Sequence, residues 1–215
     1  GRAWHYFPAG TIHLAIVDPG VGTQRRALAA RIGGHFFVGP DNGLCTPMVM
    51  HAHSQGWPVA YYHLDRPEFW LPDPSSVFHG RDIFSPVAAR LANGMPIDQL
   101  GSAIQDPVLF RLAQPQRIPE GWQAEVTQVD HFGDLSINLT PEHLQGSAVE
   151  RIEISGEIVQ HLVKTFADAR PGELVALYDS DNHLSICEAN GSAAVRLGAS
   201  VGTRVRVILK PGGEK

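Results

Sequence analysis

The stretch Ala27–Pro40, "ALAARIGGHFFVGP", decides the fold of the first half of the chain. Two short apolar runs flank Gly33-Gly34, and that pair reads as a two-residue hairpin turn, because tight hairpin turns need positive φ, which glycine adopts without a Cβ clash. Upstream, Thr11–Val17 ("TIHLAIV") is another short, partly β-branched run that stops at Asp18-Pro19-Gly20 and reads as a buried strand. Downstream, "PDNGLCTPMVMHAHSQG" (Pro40–Gly56) reads as a turn and then a helix that Gly56 ends, and "PVAYYHLD" (Pro58–Asp65) as a further strand. In "FHGRDIFSPVAARLANG" (Phe78–Gly94), Ile83, Val87 and Leu91, with Phe84 and Ala88 beside them, have helical spacing closed by Asn93-Gly94. Pro86 falls early, in the turn that tolerates it. Strands mixed with helices predict an α/β domain over residues 1–112, a mixed sheet with flanking helices.

The character of the chain then changes. "LAQPQRIPEG" (Leu112–Gly121), with Pro115 and Pro119 and little periodicity, reads as a linker over 113–120. Beyond it Leu135, Ile137 and Leu139 alternate with polar residues, as do Val205, Val207 and Leu209 with Arg204 and Arg206, and a period of two predicts strands. "YDSDNHLSI" (Tyr178–Ile186) reads as a hairpin around Asp181-Asn182, both of which tolerate positive φ. Only "NGSAAVRLG" (Asn190–Gly198) looks helical. Residues 121–215 are therefore expected to form an all-β, barrel-like domain.

Bulk properties narrow the function classes. With 43% hydrophobic and 18% charged residues, the 215-residue chain carries enough apolar material for a buried core. A formal net charge of -5 and the lack of a basic run argue against a nucleic-acid partner. No apolar stretch approaches the ~20 residues of a membrane helix, so no membrane role is expected. Cys45 and Cys187 are the only cysteines and form no CxxC, which argues against a disulfide framework or zinc cluster and favours a cytoplasmic setting. The chain opens "GRAWHYFPAG" without an initiating Met, so either a tag was removed or an N-terminal portion is missing, and a leader peptide stays open. His51 and His53 do not read as a metal pair, since residues two apart on a helix face different ways, and no metal is expected.

Three places carry candidate chemistry. Asp18 sits where an apolar strand ends, the usual position for ligands in open α/β sheets, with Gly20 and Gly22 letting backbone approach closely and Arg25 and Arg26 following. A tight turn with a solvated Asp is the competing reading. His79-Gly80 stands just before a helix, where the His either polarises a nucleophile or caps the helix. Asp130, Phe132, Gly133 and Asp134 mark a strand break where two carboxylates suit an ammonium group, or form a plain β-turn.

Together, "VDPGVGTQRR" (Val17–Arg26), "GPDNGL" (Gly39–Leu44), "FHGRDIFSPVAARLANG" and "DHFGD…INL" occur in the order and approximate spacing of one family. From about Phe7 to Leu209 the chain resembles the S-adenosylmethionine (SAM) hydroxide adenosyltransferases, relatives of fluorinase and chlorinase. The resemblance implies an α/β domain followed by a β-barrel-like domain, a homotrimer with active sites between subunits, and hydrolysis of SAM to adenosine and L-methionine with SAM as substrate and no cofactor. It places the catalytic set on Asp18, Arg25 and His79; the chemistry of water activation then takes His79 as protonated, so that it and Arg25 stabilise hydroxide-like charge. Substrate contacts fall on Asn42, Gly80, Asp130, Phe132, Asp134, Phe166, Ser180 and Glu188. Within that set Asp130 is placed at the methionine amino group, Ser180 near its carboxylate and Phe166 against adenine.

Asp134 stands where the family usually has Asn, and Glu188 falls in a stretch of adenine contacts where an Asn usually stands one position earlier. In fluorinase-like sequences a Tyr takes the position of Asp18 and Tyr-Ser that of His79-Gly80, and a carboxylate would repel a halide, so Asp18 argues for water as nucleophile. The family's "TDFG"-like strand, whose Asp binds the ribose hydroxyls, does not precede "GRAWHYFPAG". Two competing expectations follow: a trimeric module that binds SAM or adenosine without turning it over, and a SAM-dependent halogenase.

Overall fold

Gly33 takes a left-handed φ of +57° and turns the chain between two six-residue strands, so the hairpin read from Ala27–Pro40 is present in the computed structural model, which describes residues 3–210. The chain divides into two units, Gly1–Arg111 and Leu112–Lys215. The first contains β1 (Ile12–Leu14), β2 (Ala27–Ile32), β3 (His35–Pro40), α1 (Thr46–Ser54), β4 (Val59–His63), α2 (Ser85–Ala92) and β5 (Ser102–Ile104). Its five strands lie in the order β1-β3-β2-β4-β5, with β1 parallel to β3 and the other pairs antiparallel, a mixed sheet.

β2 explains why its sequence is apolar almost throughout. Leu28, Ala30 and Ile32 face α1, where Met48, Val49 and Ala52 cover them, whereas Ala27 and Ala29 face Phe84, Val87 and Leu91 on the other side. A strand covered on both faces has no solvent side to alternate with. Each fully buried side chain of this kind, Leu28 or Phe37 for instance, stabilises the unit by about 1.5–3 kcal/mol.

β1 is shorter than the Thr11–Val17 run. Beyond Ala15, whose N–H still donates to Val38 O at 3.1 Å, the chain leaves the sheet, and the Val17 carbonyl is taken by the Asn42 side chain at 2.9 Å. The Phe78–Gly94 segment is helical, with a wide π-type turn at Gly80–Phe84 leading into α2. Pro86 accounts for this: it has no N–H to give the Asp82 carbonyl, which accepts from Leu71 N–H at 2.8 Å instead, while Gly80 O takes the Ser85 hydroxyl at 2.7 Å.

The second unit contains β6 (Gln116–Ile118), β7 (Gly121–Val129), β8 (Leu135–Ile137), α3 (Pro141–Leu144), β9 (Val149–Ile154), β10 (Glu157–Val159), β11 (Leu174–Tyr178), β12 (Leu184–Glu188), α4 (Ala193–Leu197) and β13 (Arg204–Leu209). The sheet order is β10-β9-β13-β7-β8-β12-β11, all antiparallel, with β6 added on β7. Its two ends approach each other: after β10, Ala176 of β11 donates to His161 O and accepts from Val163 N–H, both at 2.8 Å, so the sheet is nearly closed and barrel-like. Leu135, Ile137, Val205 and Val207 are fully buried within it, as their alternation predicts.

Three local readings change. Part of the segment read as linker, 113–120, is β6, which pairs with β7 through Ile118↔Gly121; Pro115 and Pro119 flank the strand, where no ladder N–H is needed. A second helical turn, α3, follows Thr140, whose N–H donates to His143 Nδ1 at 3.2 Å. In the β11–β12 hairpin only Asn182 is left-handed, at φ +59°, because the Asp179 carboxylate accepts from Asp181 and His183 N–H and holds the rest of the turn.

Candidate active site

Asp18 follows β1 and Arg25 precedes β2, so the Pro19–Gln24 turn brings the two to the same end of the sheet. Arg25 donates to Asp18 through both arms of its fork, Nε to Oδ1 at 3.1 Å and Nη2 to Oδ2 at 2.6 Å. The two side chains are 8% and 7% exposed, so the reading of Asp18 as a solvated turn residue fails. Arg25 also donates to the Arg26 carbonyl at 3.0 Å and lies over the Phe84 ring, 5.3 Å from its centroid. The guanidinium is fixed on every side. Arg26 has a different role: it donates to Asp41 and Asp106 and ties the end of β2 to the strap after β5.

His79 makes no side-chain cap to the helical segment it precedes; its Nδ1 lies 3.1 Å from Arg25 Nη2. An arginine has only donors, so this contact is a hydrogen bond only when Nδ1 carries the lone pair and the ring proton sits on Nε2. A protonated ring, as assumed for water activation, would set one donor against another there, whereas a ring presenting Nε2–H can accept from Arg25. The loop carrying His79 is anchored from inside the helix. Asp82, 2% exposed, accepts from Ser75 N–H at 2.8 Å and from Arg81 Nε at 2.6 Å, and those partners hold its carboxyl below the usual carboxylate range. Gly22 (φ +77°) and Gly80 let these pieces close up. A Cβ on Gly22 would stand 2.8 Å from Ser76 O, and one on Gly80 3.2 Å from Ile16 Cδ1.

Asn42 lies beside the trio's turn. Its Nδ2 holds Val17 O, and its Oδ1 is buried with no partner among the described residues. Asp82, Phe84 and the tether from Asn42 were not singled out by residue type. The signal for Asp82 was a charge inside an apolar helical stretch, and nothing marked Phe84 as more than core.

In the second unit Asp130 behaves as a turn residue: its Oδ1 accepts from Phe132 and Asp134 N–H, both at 2.9 Å. Phe132 is 74% exposed at the tip, and Gly133 is pressed against Ser192, the N-cap of α4. Burial pushes the Asp134 carboxyl up; a hydrogen bond from Cys187 opposes this, and the Asp130 charge adds to it. Burial and Asp134 in turn push the Cys187 thiol up. Asp130, Phe132 and Asp134 are thus brought together with Cys187, which residue type did not reveal. Glu188 accepts from Arg196 at 3.4 Å. Ser180 is exposed in the β11–β12 hairpin, and Phe166, 48% exposed, starts a short helical turn capped by Thr165 and Asp168, so these two stand on separate loops.

Comparison with known proteins supplies the context for this geometry. The profile of the SAM hydroxide adenosyltransferase N-terminal domain matches residues 1–101 and that of the C-terminal domain residues 124–206. An (R)-S-adenosyl-L-methionine hydrolase of Salinispora tropica is 42% identical over 96% of this chain and 77% of its own length. A fluorinase of Actinopolyspora mzabensis is 26% identical over 94% and 78%. The crystal structure of an uncharacterized conserved protein from Thermotoga maritima superposes with a TM-score of 0.82 at 31% identity, covering 96% of this chain and 80% of that one. Matched over both units, the chain belongs to the SAM hydroxide adenosyltransferase family.

Proposed function

We propose that the protein hydrolyses SAM to adenosine and L-methionine, with Asp18, Arg25 and His79 as its catalytic residues. The observation that carries this reading is the bidentate Arg25–Asp18 pair with His79 Nδ1 against the same guanidinium. In the reaction a water oxygen bonds to ribose C5′ while the C5′–S bond breaks and its electron pair stays on sulfur. Methionine departs as a neutral thioether and needs no acid. The demand is on the nucleophile, because water has a pKa of about 15.7. Asp18 accepts the water proton, which passes to solvent, and His79 donates Nε2–H to the oxygen as it gains anionic character. Arg25 keeps both in place, and holding the oxygen in line with the C–S bond adds a proximity contribution of several kcal/mol, within the about 7–11 kcal/mol such effects reach. No cofactor takes part.

Residues of each unit, taken by themselves, suit parts of the substrate. The unpartnered Asn42 Oδ1 accepts a donor such as a ribose hydroxyl, since buried acceptors are seldom left unpaired. Asp130 and Asp134, two carboxylates whose proximity raises the cost of ionising both, gain from a methionine ammonium between them. Phe132 and Phe166 offer aromatic surface to adenine, with Gly80, Ser180 and Glu188 as further contacts. A halide gains nothing from an Arg25–Asp18 pair that is already neutral overall, which disfavours halogenation. Val17, Val77 and Phe78 leave apolar surface exposed beside the trio, which supports closure by neighbouring copies in a trimer; light scattering at three times the chain mass checks this. No helix among the described residues is long and apolar enough to cross a membrane, and the buried free thiols of Cys45 and Cys187 support a cytoplasmic setting, which fractionation tests.

The deciding experiment is incubation with SAM in ¹⁸O-labelled water, followed by mass analysis of the products. Adenosine carrying the label at its 5′ oxygen is expected. Unchanged SAM beyond the buffer control would instead support a module that binds SAM without turnover.

A further inference from the structure

α2 is too short for the sheet it covers. Its eight residues span about 12 Å, whereas the six residues of β2 span about 20 Å. Ala27 and Ala29 lie beneath the helical segment and are buried, but Arg31, next on that face, is exposed where the sequence pattern calls for another apolar residue. Beyond the end of α2 the uncovered sheet becomes the floor of a cleft of about 680 Å³. Ile12, Phe36 and Ala60 supply that floor, and Leu91, Met95 and Ile97 the wall. β1 runs from this cleft to Asp18 and β2 runs from Arg25 back to it, so the cleft lies at the opposite end of the sheet from the trio.

Two charged residues line the cleft, Arg31 and Asp98. Both are exposed, they do not pair with each other, and neither side chain has a hydrogen bond or ion pair with any described residue. A cleft in the size range of small-molecule sites, with apolar side chains on its floor and wall, polar surface making up about half of its lining, and the Arg31 and Asp98 side chains unpaired among the described residues, has the chemistry to hold a ligand carrying both charges on an apolar body. We propose that it binds an apolar zwitterion of dipeptide size, its carboxylate on the Arg31 fork and its ammonium on Asp98. A ligand with several negative charges would meet Asp98, a polycation would meet Arg31, and a single amino acid would leave most of the volume empty.

Titration calorimetry with L-leucyl-L-leucine tests this without reference to SAM. Saturable binding is expected, weakened at least tenfold by Arg31→Gln, by Asp98→Asn, by N-acetylation of the peptide and by its C-terminal amide. The proposal is overturned by absence of saturable binding, by capped peptides that bind equally well, or by unchanged affinity in both cleft variants. A protein that binds the dipeptide but leaves SAM intact would refute the hydrolase reading alone, and the converse would refute only the cleft.

Discussion

A double-mutant cycle on Asp18 and Arg25 tests the geometry on which the catalytic reading stands. Asp18→Asn keeps the side chain's shape but strands the Arg25 guanidinium at 8% exposure, and Arg25→Gln strands the Asp18 carboxylate at 7%. Removing one partner of a buried pair costs about 3–5 kcal/mol, mostly because the remaining charge has no compensation. The double variant leaves no charge behind, so its loss should fall short of the summed single losses by about 2–3 kcal/mol. Urea unfolding followed by tryptophan fluorescence reads this directly. Single losses that add to within about 0.5 kcal/mol would refute a bidentate, desolvated pair. The same variants give a kinetic reading. Each single change should lower SAM turnover by about 10²–10⁴-fold, and the double should be no worse than the poorer single, because the two act as one unit.

Two further outcomes follow from neighbouring residues. His13 hydrogen-bonds His35 at 3.2 Å, and burial, then the charge of His35, hold its pKa below 6.5. The unfolded chain therefore binds that proton more readily, so the stability it contributes is complete above pH 6.5 and is lost as pH falls toward the folded value. Urea midpoints should drop on acidification below that pH, and His13→Gln should flatten the slope; an unchanged slope would rule out the assignment. Gly22→Ala and Gly94→Ala form a matched pair, with φ of +77° and +88°, but a Cβ at Gly22 meets Ser76 O at 2.8 Å and one at Gly94 meets nothing. Both should lose about 1 kcal/mol or more from backbone strain, while only Gly22→Ala should also cut SAM turnover about tenfold or more, by wedging the loop that carries His79 away from Arg25. Equal turnover in the two variants would show that the close approach does not matter.

Much of the fold is legible in the sequence because one local signal decides each element. Gly33 supplies the left-handed φ of the turn between β2 and β3, and the alternation of Leu135, Ile137 and Leu139 fixes which face enters the barrel. What is not legible depends on contacts distant in sequence. β6 is a strand because β7 folds back on it, and Pro115 and Pro119 hide that by marking its ends as linker. At the site, residue type and order bring Asp18, Arg25 and His79 to notice, but not the direction of the bonds among them. Which tautomer lets His79 accept from Arg25 follows from Arg25 having only donors, a fact of three-dimensional neighbourhood across 54 residues of chain. Cys187 beside Asp134 is of the same kind, since a buried thiol on a strand carries no mark of its neighbour.

The π-type turn at Gly80–Phe84 connects these observations. A regular helix through this segment would need an N–H from Pro86 for the Asp82 carbonyl, and proline has none to give. The chain widens, Asp82 O turns to Leu71 N–H, and the Asp82 carboxylate reaches Ser75 N–H, so one residue ties the start and the middle of the 71–79 loop to the helix. That loop delivers His79 to Arg25, and Phe84, at the end of the same turn, lies under the guanidinium. The positions of the histidine and of the arginine's support are thus set by one backbone irregularity. Replacing Pro86 with Ala restores the missing N–H and lets the turn relax toward a regular helix, which should stabilise α2 while lowering SAM turnover. A variant that gained stability with turnover intact would mean that the trio is held by Arg25 and Asp18 alone.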